Sequence, residues 1–179
     1  MRAVIDTCSL LSLVRYYLPF DKNKILYDFI GEKVRSGEIL ILDKVVDECR
    51  YVSKGVVVQS LGYLDSKDIK INTAELFPDK RFFNLLENNF INASVRSGLS
   101  DVEFEDRKNA FLESADAKLL LYCLRESDCN VTLVSEETDS DNDNKSFKKL
   151  PTLCGMVGCS FTSLPQLIQN YDDIDLEFK

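Results

Sequence analysis

Four carboxylates set far apart in this chain, Asp6, Glu48, Asp116 and Glu137, are its strongest candidates for chemistry. Asp6 ends the apolar run Ala3-Val4-Ile5 and opens the stretch Asp6-Thr7-Cys8-Ser9-Leu10-Leu11. That run reads as a short buried strand stopping at an acid. Glu48 shares a helical face with Val45 and Val52, with Cys49 beside them, while Asp47 and Arg50 point elsewhere. Asp116 repeats the pattern with Leu120 and Cys123. A carboxylate on an apolar stripe is costly unless something pairs with it. An acid in the first turn of a helix is also stabilised by the helix dipole, and taken alone needs no other role. The joint arrangement is what points to chemistry. Carboxylates about 4 Å apart repel by roughly 4 kcal/mol per pair at an effective dielectric near 20, so a cluster calls for a cation. Oxygen donors suit a hard divalent ion.

The elements around these acids would bring them together. Residues 2–5, the continuous apolar run 39–42, residues 131–134 and a short stretch at 160–161 read as strands. Helical periodicity covers 9–18 and 22–35, with Pro19 breaking between them, then about 43–53, 79–96, 114–126, 151–157 and 163–170. Residues 100–107 read as a short helix or loop. The β-branched stretches Val56-Val57-Val58 and Ile69-Lys70-Ile71 have no evident place. Alternating strands and helices predict an α/β fold, a three-layer α/β/α sandwich with a mostly parallel central sheet. In such folds strand C-termini and helix N-termini share one edge, where ligands bind. Asp6 ends the first strand there, Glu48 and Asp116 lie in the early turns of helices, and Glu137 follows residue 134 by three positions.

A length of 179 residues predicts one domain, with a helical insertion at about 55–110. In that insertion Phe82, Phe83 and Phe90 repeat at helical spacing, so core packing is the default and a substrate clamp or dimer surface the sharper option. The hydrophobic share of 45% and charged share of 29% are those of a soluble globular protein. No run has the length of a membrane span, and the N-terminus does not read as a signal peptide, so a cytoplasmic protein is expected. The absence of histidine excludes every histidine-based catalytic mechanism within this chain. Cys8, Cys49, Cys123, Cys129, Cys154 and Cys159 form no C-x-x-C pair and are expected as buried thiols. A net charge of −8 argues against passive nucleic-acid coating, although bound metal would reverse the sign locally.

The motifs carrying these acids resemble the PIN-domain nuclease family, which includes VapC-type toxins and RNA-processing endonucleases. Asp6-Thr7-Cys8-Ser9-Leu10-Leu11 is similar to the opening D-[ST]-N-x-[LI]-[LI] of that family, and Val46-Asp47-Glu48 to its second motif. Ser114-Ala115-Asp116-Ala117-Lys118-Leu119-Leu120 resembles the third, and Val134-Ser135-Glu136-Glu137 the fourth. Lys149-Leu150-Pro151-Thr152-Leu153-Cys154 resembles the K-I-P-x-[VL]-C segment of one prokaryotic PIN subfamily, most of whose members have no assigned function.

The resemblance implies a metal-dependent endoribonuclease, with RNA as substrate and one or two Mg²⁺ or Mn²⁺ ions held by Asp6, Glu48, Asp116 and Glu137. It also implies support for those ligands from Thr7, Ser9 and Ser135, and candidate phosphate contacts at Arg15, Lys145, Lys148 and Lys149. A toxin of this type would pair with a small antitoxin and could form a homodimer. Cys8 stands where the family has Asn, which would remove a polar contact near the metal. The fourth acid stays open among Glu137, Glu136, Asp139 and Asp141. The alternative function is a PIN-fold binding module with weak or lost hydrolysis. The loop 139–150 imitates a calcium hand but has Asn144 and Leu150 where Gly and Glu are required.

Overall fold

The centre of the molecule is β1 (Arg2–Ile5), whose Ala3, Val4 and Ile5 are wholly buried. This computed structural model describes residues 2–127, 130–138 and 145–176. On one side β1 pairs with β2 (Ile39–Leu42), which in turn pairs with β3 (Lys70–Ile71). On the other side it pairs with β4 (Val131–Val134), followed by β5 (Ser160–Thr162). The order is β3-β2-β1-β4-β5 and every pairing is parallel. Ile5 stands opposite Val134, and Val4 opposite Leu40, so β1, β2 and β4 end near one level. Unbroken apolar runs such as Ile39–Leu42 fit this position because helices cover both faces.

After β1 come α1 (Thr7–Ser12) and α2 (Ile25–Arg35). α3 (Asp43–Tyr51) follows β2 without a loop, and α4 (Val56–Ser60) leads toward β3. α5 (Lys80–Leu85), α6 (Ala93–Arg96), α7 (Asp101–Leu112) and α8 (Ala115–Arg125) connect β3 to β4. α9 (Leu150–Val157) joins β4 to β5, and α10 (Leu164–Gln169) is the last helix among the described residues. The step from β1 to β2 and the return from β3 to β4 run in opposite directions along the sheet. Right-handed crossovers therefore put α2 and α8 on opposite faces, giving the three layers. Among the described residues, no helix is long and apolar enough to cross a membrane.

Several local expectations change. The helix expected over 79–96 is broken: α5 passes into a wider turn at Leu86–Phe90, and Ile91 leaves the helix to bridge Phe147. Backbone bonds from Asn92 N to Ser146 O (2.9 Å) and from Lys148 N to Phe90 O (2.8 Å) dock residues 145–148 at that break. Residues 100–107 belong to the full helix α7, started by a reciprocal cap between Ser100 and Glu103. Val56-Val57-Val58 is helical, not extended, and buries Val57. Ile69-Lys70-Ile71 supplies the edge strand, so the segment 55–110 contributes to the sheet as well as carrying helices. Pro19 does not stop the first helix sharply. It sits inside a short 3₁₀ turn, Leu18–Phe20, reached through a wide turn at Leu13–Tyr17.

Candidate metal centre

The acids stand where strands end and helices begin. Asp6 follows β1 directly and caps α1, its Oδ1 accepting the Thr7 N–H at 2.6 Å. Its Oδ2 accepts from the Cys8 thiol at 2.8 Å and from the Ser135 hydroxyl at 3.0 Å. Three donors thus hold this buried carboxylate in one orientation. Thr7 turns its hydroxyl the other way, donating to Glu48 Oε2 at 2.9 Å and so tying the start of α1 to α3. Ser135, just after β4, also accepts the Glu137 N–H at 3.2 Å. Glu137 Oε2 takes the Leu150 N–H at 3.0 Å, at the N-terminus of α9, and Lys145 Nζ lies 3.4 Å from Oε1.

Electrostatics ties the four acids to each other. Burial first, then the charges of Asp6, Glu137 and Glu48, push the Asp116 carboxyl up to about 7, with Lys145 partly opposing. Burial also raises Glu48, against the Thr7 hydrogen bond, and the charges of Asp6 and Glu137 add to the rise. Asp6 is raised chiefly by burial, offset by its Cys8, Ser135 and Thr7 hydrogen bonds, with Glu137 again unfavourable. Asp116 forms no hydrogen bond or ion pair within the described residues. A half-buried carboxylate under the charge of three others, with no partner among the described residues, fits an all-oxygen cation site in donor chemistry and in charge. Among the described residues, however, no three such side chains stand close enough to hold one ion as they are placed.

The supporting residues divide. Thr7 and Ser135 contact the acids, whereas Ser9 is wholly buried with no partner for its hydroxyl among the described residues. Cys8 corrects the expected loss of a polar contact. Its thiol donates to Asp6, lies 3.0 Å from the Ser135 hydroxyl and accepts the Glu136 N–H at 3.1 Å. Burial and the Asp6 charge push that thiol up to about 12, so it stays a neutral donor. No sequence signal marks this role, because a cysteine after a strand ordinarily reads as a small hydrophobe. Glu136 turns away: its Oε1 accepts the Leu164 N–H at 2.7 Å and caps α10. Asp139 and Asp141 lie outside the described residues, as do the start of the calcium-like loop and Cys129.

Of the expected phosphate contacts, Lys145 stands at the acids. Lys148 donates to the Asn89 carbonyl at 2.6 Å, and Arg15 to the Ser53 hydroxyl at 2.6 Å. Lys149 sits at the N-terminal boundary of α9. The five described cysteines are free thiols, with Cys49, Cys123 and Cys154 buried and Cys8 and Cys159 half-buried.

Residues 4–173, which run from within β1 through α10 and include all four acids, match the family model described as Domain of unknown function (DUF4411). The chain belongs to this family. No curated protein and no solved structure matches the chain. The DUF4411 match thus covers the whole candidate centre, and its description carries no activity.

Proposed function

We propose that this chain is a metal-dependent endoribonuclease of the PIN type, with Asp6, Glu48, Asp116 and Glu137 holding one or two Mg²⁺ or Mn²⁺ ions. One observation carries the reading: four carboxylates from separate elements act on one another at the C-terminal edge of a parallel sheet, and Asp116 has no partner among the described residues. Ligand sites of doubly wound sheets lie along that edge. The chemistry such an ion supplies is Lewis acidity toward water and toward a phosphodiester.

The residues of the chain position and hold. Asp6 is fixed by Thr7 N–H, Cys8 and Ser135, which limits the reorganisation needed on binding. Thr7 orients Glu48, and the N-terminus of α9 holds Glu137, while Glu136 is engaged at the start of α10. Lys145 lies beside Glu137, where it can turn toward a substrate phosphate. No histidine is needed for any of these roles.

A PIN-fold binding module without hydrolysis is the second reading, favoured by the spacing of the acids, no three of which share an ion as placed. Incubating structured and unstructured RNA with the protein separates the two. The nuclease reading expects cleavage with Mn²⁺, none with chelator, and none from Asp6→Ala. RNA binding without cleavage under every condition would favour the binding module.

A further inference from the structure

We infer that a single-stranded nucleic acid reaches the carboxylates along a surface track paved by Tyr51, Phe77 and Phe83, an inference that rests on the nuclease reading above. A hollow of about 340 Å³ opens beside Glu48 and Asp116 and is walled by Tyr51 and Lys44. A second, also about 340 Å³, shares Lys44 and Glu113 with the first and adds Phe77 and Phe83. A third shares Phe83 with the second and adds Lys80 and Arg81. Shared walls make the three hollows one path leading away from the acids.

The side chains along it are unusual for this molecule. Most of its large apolar side chains are buried, yet Tyr51 is 71% exposed, Phe77 78% and Phe83 38%. Solvent-facing rings at intervals along a path suit unpaired bases, because every base offers a face for stacking. Paired bases in a duplex offer none. Cations alternate with the rings. Lys44 is held at the saddle between the first two hollows by Glu113 at 3.0 Å, where a phosphate can compete for it. Lys80 and Arg81 at the far end are exposed and form no ion pair within the described residues. The helical spacing of Phe82, Phe83 and Phe90 concealed this division. Phe82 and Phe90 pack edge to face in the core at 5.3 Å, and Phe83 faces outward beside Phe77.

The test is fluorescence anisotropy of the full chain with Mn²⁺, using a labelled single-stranded phosphorothioate oligonucleotide and the matching duplex. The single strand is expected to bind more tightly than the duplex. Tyr51→Ala combined with Phe77→Ala is expected to weaken single-strand binding about tenfold or more. Tyr51→Phe, which keeps the ring, is expected to bind as wild type, as is Phe20→Ala, an exposed residue lining none of these hollows. Circular dichroism confirms that each variant folds. Undiminished binding by the double variant, equal affinity for duplex, or no binding by wild type overturns the track. Cleavage of ordinary RNA by the same preparations separates the two ideas. Cleavage with undiminished double-variant binding sinks the track alone. Lost binding in the double variant, with no cleavage by wild type, sinks the nuclease reading alone.

Discussion

Asp116 is the acid of the four that has no partner among the described residues. Its carboxyl is pushed from 3.8 to about 7 by burial and by Asp6, Glu137 and Glu48, so the folded protein binds a proton there more tightly than the unfolded chain does. The sign follows: stability from this group is full below about pH 4 and is lost as pH rises to about 7. A carboxyl moved this far loses up to roughly 4 kcal/mol once ionised, and the loss is shared among the coupled acids. Asp116→Asn, measured by urea unfolding of the metal-free protein at pH 8, should therefore raise stability by ~2 kcal/mol, with little effect near pH 4. A fall at pH 8 would mean that Asp116 is paired after all. Cys8 makes the opposite case. Cys8→Ala removes a donor from buried Asp6 and an acceptor from the Glu136 N–H, and should cost about 1–2 kcal/mol, while Cys8→Ser should recover most of it. Equal stability of the two variants would show that the thiol acts only by filling space.

At the scale of elements, the start of α2 depends on a residue outside it. Lys24 precedes that helix in a left-handed conformation and offers no side-chain cap. Buried Asp21 accepts the N–H groups of Leu26 (3.1 Å) and Tyr27 (3.0 Å) in its place. Asp21→Ala should cost about 1–2 kcal/mol in thermal or chemical unfolding, and no change would remove the capping role. Nothing in the sequence pointed to Asp21, because the bond skips four residues and bypasses the local cap position. The strands 2–5, 39–42 and 131–134 were legible because burial on both faces demands continuous apolar runs. β3 was not, since two half-buried residues at an edge carry almost no pattern. The break after Leu85 depends on docking by residues 145–148, a distant contact that helical periodicity cannot register. The convergence of Asp6, Glu48 and Asp116 on one edge could be read from strand ends and helix starts. The different directions taken by Glu136 and Glu137 could not, because they depend on which helix N-terminus each one meets.

For the whole molecule, a net charge of −8 and an acidic edge oppose a polyanionic substrate. In the proposed reading, a divalent cation at that edge would change the local sign and would need the carboxylates to come closer together than they stand here. The fold, the electrostatics and the proposed activity therefore meet in one requirement, an ion shared by carboxylates from β1, α3, α8 and the end of β4. The most direct measurement is anomalous diffraction from crystals grown with Mn²⁺ near pH 8. The account expects a strong peak within about 2–2.5 Å of oxygens from Asp6, Asp116 and at least one of Glu48 and Glu137. Mn²⁺ bound elsewhere only, with these carboxylates still apart, would contradict it.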